Sequence, residues 1–238
     1  MKLAIIGDIH GNIYALNSVL KHIQSKNVDF IVSTGDLVGY MPYPNEVINT
    51  LRESKVLVVQ GNHDEYIGSA KKISTSEIEA LSDEEIQKVA SGKFTKWIIT
   101  DENREYLRNL PKYLKLQVGN LKLIAVHGSP RNISEYMYED EEILREIGEL
   151  TEEDIIVSGH THIPYCKKIN DKTFINVGSV GKPKDKDSRS SYIILEVKDE
   201  EINCSIERVA YDIDKMINDI KNNRMISNSL INMLFEGV

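Results

Sequence analysis

Lys2-Leu3-Ala4-Ile5-Ile6-Gly7-Asp8-Ile9-His10-Gly11-Asn12 is the stretch on which the fold turns. A short aliphatic run closed by glycine reads as a strand buried on both faces. A carboxylate and an imidazole, Asp8 and His10, follow two residues apart where that strand would end. In open α/β sheets ligands collect just beyond the carboxyl ends of strands, so this pair would face such a crevice and suits a metal or a phosphate. Alone the triplet carries little, because a turn aspartate beside a solvated histidine has the same sequence. Its weight comes from repetition: four further strands end in residues of metal-binding type.

Working outward, Ile13, Leu16, Leu20 and Ile23 recur at helical spacing and predict an amphipathic helix over 12–26, with Asn12 near its start. A second strand, Asp29-Phe30-Ile31-Val32-Ser33, runs into Thr34-Gly35-Asp36. A helix over 44–53 and a strand over 55–59 follow, ending in Gly61-Asn62-His63-Asp64. This βαβαβ opening implies a parallel sheet. From 65 to 109 the sequence turns polar and helix-forming. Ser76 with Glu79 and Ser82 with Glu85 each have the form of a capping box, which predicts two or three short helices. A helical insertion directly after a candidate site residue is placed either to cap the site or to pack as an outer layer.

Hairpins are predicted over 113–126, turning at Gly119-Asn120, and over 164–177, turning at Asn170-Asp171. The first ends at His127-Gly128-Ser129-Pro130-Arg131. A helix near 140–148 then leads to a strand over 154–157 that ends at Ser158-Gly159-His160-Thr161-His162. Strands near 191–197 and 202–209 and two helices within 212–238 complete the chain. With no internal repeat or low-complexity linker, a single domain over 1–238 is expected.

Composition sets the bounds. The chain has 238 residues, 41% hydrophobic and 28% charged, as in globular proteins with a sizeable core. A net charge of −8 argues against duplex nucleic acid as a partner, since its phosphates require a basic face. A small phosphate-bearing substrate remains compatible if metal ions supply the positive charge. No apolar run reaches the ~18 residues a membrane span needs. Cys166 and Cys204 form neither a metal-type spacing nor a disulfide framework. A cytoplasmic protein with reduced thiols is expected. Asp185, Asp187 and Glu196 mimic part of a calcium loop, but Arg189 and Ser190 stand at the fifth ligand and the obligatory glycine, so the stretch reads as a polar turn.

The histidines carry the functional reading. Of six, only His22 lies inside a helix, while His10, His63, His127, His160 and His162 all sit beside a strand terminus. With Asp8, Asp36 and Asn62 the set is too large for one tetrahedral zinc and suits two adjacent divalent metals that share a carboxylate. Imidazole and carboxylate donors without thiolate fit manganese, iron, zinc, nickel or magnesium, and the donor set does not choose among them.

Asp8-Ile9-His10, Gly35-Asp36, Gly61-Asn62-His63-Asp64, Val126-His127-Gly128 and Gly159-His160-Thr161-His162, in that order, resemble the five blocks of the calcineurin-like metallophosphoesterase superfamily. The nearest resemblance is to small prokaryotic phosphodiesterases and diadenosine-tetraphosphatase-like proteins. It implies a four-layer α/β sandwich with two mixed sheets flanked by helices. It also implies Asp8, His10 and His162 on one metal, Asn62, His127 and His160 on the other, Asp36 bridging, and His63 unliganded beside the scissile phosphate. Serine/threonine protein phosphatases of the superfamily carry an arginine shortly after the bridging aspartate and a glutamate after the asparagine-histidine pair. Here Leu37-Val38-Gly39-Tyr40 and Asp64 stand instead. Met41 and Val177 occupy positions where the nearer subgroup has glycine and proline.

The expected chemistry is in-line attack on phosphorus by a metal-bridging hydroxide, available near neutral pH because two metals lower the pKa of the water between them. His63 would protonate the leaving oxygen or hydrogen-bond the phosphoryl group. Asp64 would orient it or simply open a helix. Arg131, Asn12 and Tyr40 are the expected substrate contacts: Arg131 as a phosphate clamp, and Tyr40, with Tyr43, Tyr66, Tyr136 and Tyr138, as rings that stack a base or merely pack. The leading function is hydrolysis of phosphodiester or nucleotide substrates. A phosphomonoesterase or phosphoprotein phosphatase is the alternative. A scaffold on the same fold, like the retromer subunit with its decayed site, has no reason to keep every ligand.

Overall fold

The computed structural model describes residues 1–198 and 201–238. Its first half builds β1 (Lys2–Ile6), α1 (Ile13–Gln24), β2 (Phe30–Ser33), α2 (Pro44–Glu53) and β3 (Leu57–Val58). Four helices follow: α3 (Asn62–Ser69), α4 (Thr75–Glu79), α5 (Asp83–Ile98) and α6 (Asp101–Arg108). The second half runs β4 (Tyr113–Val118), β5 (Leu121–Val126), α7 (Glu141–Glu149), β6 (Ile155–Ser158), β7 (Tyr165–Ile169), β8 (Lys172–Asn176), β9 (Ser190–Lys198), β10 (Glu201–Val209), α8 (Ile213–Lys221) and α9 (Ser229–Glu236). The strands form two five-stranded sheets, ordered β10-β9-β1-β2-β3 and β4-β5-β6-β8-β7. Both are mixed: β1, β2 and β3 are parallel, as are β5, β6 and β8, while β9, β10, β4 and β7 join antiparallel.

The layers follow from the two-residue period of a strand. In β1, Leu3 and Ile5 point to the second sheet, whereas Ala4 and Ile6 point to α1 and α2. In β5, Leu123 and Ala125 meet the first sheet, and Ile124 and Val126 meet Leu144 and Ile147 of α7. The strands therefore carry continuous apolar runs because both of their faces are covered. Helices, sheet, sheet and helix make the expected four-layer sandwich. Each fully buried leucine or isoleucine between the sheets contributes about 1.5–3 kcal/mol.

Three local expectations are corrected. The strand expected over 55–59 shrinks to Leu57–Val58 because the residues before it finish α2. Lys55 takes a left-handed φ of 54°, its N–H reaches Arg52 O, and the Val56 N–H reaches Leu51 O, a Schellman closure. The first capping box in the insertion is Ser74 with Glu77, not Ser76 with Glu79, since the helix starts at the earlier of two overlapping matches; Ser82 with Glu85 caps α5 as read. The insertion is also more helical than expected, with α5 running to 16 residues.

Met41 is fully buried in a cluster with Ile78, Ile86 and Phe94 of the insertion and Met216, Ile220 and Leu230 of the two last helices. The insertion and the carboxyl-terminal helices therefore share one apolar core. Tyr14 and Tyr43 both donate their hydroxyls to Asp219 at 2.6 Å, which ties α8 to the loop after Tyr40. Asp185 and Asp187 pair with Arg208 and Arg189 in a polar turn. Among the described residues no helix is long and apolar enough to cross a membrane.

Candidate metal centre

Five of the seven clustered side chains at the strand ends sit on tight turns. Asp8 (φ 51°), His10 (53°), Asp36 (53°), His160 (64°) and His162 (60°) all have left-handed backbones, which cost roughly 1–3 kcal/mol apiece in non-glycine residues. Lacing between loops holds them there: the N–H of Asp8 bonds Gly35 O, those of Ile9 and His10 both bond Asp36 O, and that of Gly11 bonds Leu37 O. Gly61 is required by proximity, since a Cβ there would sit 2.1 Å from Asp36 Oδ1.

The donors converge as two groups. In the first, His162 Nε2 is 3.2 Å from Asp8 Oδ1 and 3.1 Å from His10 Nε2, and His10 Nε2 is 3.8 Å from Asp8 Oδ1. In the second, His127 Nε2 lies 2.9 Å from Asn62 Oδ1, 3.1 Å from His160 Nδ1 and 3.3 Å from Asp36 Oδ2. The same Asp36 oxygen is 3.8 Å from His10 Nε2, so this carboxylate stands between the groups. Its other oxygen accepts the His63 N–H at 2.8 Å.

The donor set fits divalent cations. Two ligands on one ion at about 2.0–2.2 Å stand about 3–3.5 Å apart, close to the separations here. Backbone carbonyls fix the tautomers: the Nδ1 atoms of His10, His127 and His162 face Val38 O, Thr34 O and Lys182 O. In neutral His10 and His162 this turns the bare Nε2 lone pairs toward each other, an arrangement that a cation between them relieves. Asp8 Oδ1, fully buried and facing that pair, has no hydrogen-bond partner.

Burial opposes charge on His127, but the adjacent Asp36 carboxylate outweighs it and lifts the imidazole to about 9. Burial and then His127 push His160 down to about 4. Burial holds His10 well below its ordinary value against the pull of Asp36. Asp36 itself is kept well below the carboxylate range by His127 and His63, which overcome its burial.

The remaining sequence candidates are placed as follows. His63 opens α3 beside the centre, one of its ring nitrogens within 4.8 Å of donor atoms on His10 and Asp36. Asp64, expected to orient it or to open a helix, caps α3: its Oδ1 accepts from Leu37 N–H at 2.9 Å and its Oδ2 from Gly61 N–H at 3.0 Å. Burial and Asp36 raise its carboxyl to about 7. Asn12, expected at the substrate, is spent on the fold, since its Oδ1 accepts from Ala15 N–H and its Nδ2 donates to Gly181 O. The Tyr40 ring packs edge-on against His10 at 4.7 Å and lies 5.0 Å from His63. Arg131 and His127 border a cavity of about 380 Å³, but the guanidinium is paired with Glu135 and Glu146. The orienting carbonyls of Thr34, Val38 and Lys182 were missed by sequence reasoning. Their role belongs to the backbone, and no side-chain pattern announces it.

A two-sheet α/β sandwich with paired imidazole and carboxylate clusters in its seam defines the class, a metallophosphoesterase sandwich. The calcineurin-like phosphoesterase superfamily domain matches residues 1–200, and the chain belongs to that superfamily. It is 34% identical to an uncharacterized protein of Methanocaldococcus jannaschii, over 94% of this chain and 93% of that protein. It is also similar to the crystal structure of a metallophosphoesterase from Sphaerobacter thermophilus, with 28% identity, a TM-score of 0.82 and coverage of 100% and 99% of the two chains. A hypothetical protein from Pyrococcus horikoshii shares the fold with a TM-score of 0.84 at 24% identity, over 100% and 98% of the chains.

Proposed function

We propose that this protein hydrolyses phosphodiester or nucleotide substrates with two divalent cations, manganese first among them. Asp8, His10 and His162 would hold one cation, Asn62, His127 and His160 the other, and Asp36 both. The observation that carries the reading is the meeting of both groups at one Asp36 oxygen, 3.8 Å from His10 and 3.3 Å from His127. When bound, such a pair supplies a nucleophilic water at neutral pH and withdraws charge from the phosphoryl oxygens.

The chain's own residues do the rest. His63, held by its backbone bond to Asp36, would donate a proton from its ring to the leaving oxygen. Tyr40 would wall the substrate on the His10 side. Arg131 would reach phosphate only by giving up its pairing with Glu135 and Glu146. The loop after Asp36, Leu37-Val38-Gly39-Tyr40, brings no cationic side chain of its own to the centre, which supports a singly charged diester over a doubly charged monoester.

The test is turnover of bis-p-nitrophenyl phosphate against p-nitrophenyl phosphate after metal removal and manganese addition, followed by cyclic nucleotides and diadenosine tetraphosphate. Diester turnover is expected. Turnover of the monoester alone would move the assignment to a phosphomonoesterase, and turnover of neither would leave a scaffold.

A further inference from the structure

Outside the metal cluster, the segment Tyr136-Met137-Tyr138 carries chemistry that the reaction above does not use. It follows the His127 loop and alternates out, in, out. Met137 is fully buried and its carbonyl accepts the Tyr165 hydroxyl at 2.9 Å, while Tyr136 and Tyr138 are 45% and 46% exposed. The two exposed rings flank a buried anchor and lie side by side in parallel. The Tyr136 ring stacks on the His160 imidazole with centroids 4.2 Å apart and planes 27° from parallel. Tyr138 lies parallel to Tyr136, 5.6 Å away and within 7°. An aromatic array thus runs from the buried His160 ring out to two tyrosines that are each nearly half exposed.

We propose that Tyr136 and Tyr138 form a stacking platform for the nucleobase of the substrate. The occupant is set by continuity with the centre. The array begins on the His160 ring, whose Nδ1 is 3.1 Å from His127 Nε2, so a base stacked along it would share one site with a phosphate at the metals. It rests on the phosphoesterase reading for that phosphate. Stacking on aromatic side chains tolerates any base, because every base has a π-face, so the platform selects for a base without choosing among bases.

The experiment is calorimetric binding of AMP and of ribose 5-phosphate to the manganese-loaded protein, with metal content measured for every variant. The wild type should bind AMP about tenfold more tightly than ribose 5-phosphate, the scale of one stacked base. Tyr138→Ala should erase that preference at unchanged metal content, Tyr138→Phe should keep it, and Phe235→Ala, an exposed aromatic on α9, should leave it intact. Equal binding of the two ligands to the wild type, or a preference that survives in Tyr138→Ala, overturns the platform. Equal weakening of both ligands in Tyr138→Ala also overturns it, as the mark of a structural role. If no phosphoester is hydrolysed yet the Tyr138-dependent preference persists, the hydrolase reading fails and the platform stands. If diesters are hydrolysed without a base preference, the platform alone fails.

Discussion

At the scale of the residue, His63 is held more tightly than its surface-facing ring implies. Its N–H is fixed to Asp36, the Tyr40 ring lies beside it, and a Cβ on Gly39 (φ 93°) would stand 2.6 Å from its Nδ1. Glycine at 39 is therefore required twice, by its φ and by the imidazole. His63→Gln should keep two metals per chain and a near-wild-type melting temperature while the rate falls about 10²–10⁴-fold, with a smaller deficit for p-nitrophenolate, which scarcely needs protonation. Because the ring also lies within reach of His10 and Asp36, metal analysis of that variant decides the role: loss of an ion would make His63 a ligand. Gly39→Ala should also retain both metals but displace the ring, lowering kcat and costing about 1 kcal/mol or more of stability. Unchanged kcat in that variant would show that the position of the ring does not matter.

At the scale of the element, the insertion is committed to the carboxyl-terminal helices. Excising 70–100 removes Ile78, Ile86 and Phe94 from a core that also contains Met216, Ile220 and Leu230, so it should collapse the melting transition. A hinged cap would come away with the transition intact. The milder variant Ile220→Ala should cost about 2–5 kcal/mol, and its melting temperature should fall by roughly 2–4 °C for each of these. That the segment is helical was legible in its polarity and its Ser82 box. Its partner was not, since the apolar faces of α5 and α8 are compatible with many neighbours and become a pair only when packed. Met41 makes the same point: in the sequence it stands in place of a glycine, and in the fold it is the plug between site loop and helical core.

At the scale of the molecule, the donors come from both sheets, Asp8, His10, Asp36 and Asn62 from one and His127, His160 and His162 from the other. Metal binding should therefore stabilise the whole fold. Free manganese at a hundred times its Kd should add about 2.7 kcal/mol, or roughly 5–10 °C in melting temperature, and chelation should remove it. Without metal, the raised His127 supplies a pH signature. Its stabilising pair with Asp36 is complete below its ordinary value of 6.5 and is lost as pH rises through about 9. The melting temperature of the metal-free protein should fall between those limits, and metal uptake should release protons in that range, measurable by calorimetry in buffers of different ionisation enthalpy. Asp36→Asn should lower metal content and flatten the pH dependence. A metal-free melting temperature indifferent to pH from 6 to 9 would contradict the pairing.

The order of strands and helices, the two covered faces of β1, and the strand-end placement of the side chains that cluster between Asp8 and His162 were readable from the sequence. Local period and strand-end chemistry are properties of a few adjacent residues. Tertiary structure alone decided the rest. It took residues 55 and 56 from a strand for the cap of α2, and spent the Asn12 amide and the Asp64 carboxylate on backbone partners. It paired Arg131 with two glutamates and set Tyr136 on His160. Each of these outcomes depends on which unpaired group a folded neighbour brings within about 3–4 Å, and that distance is fixed only when the two sheets close on each other.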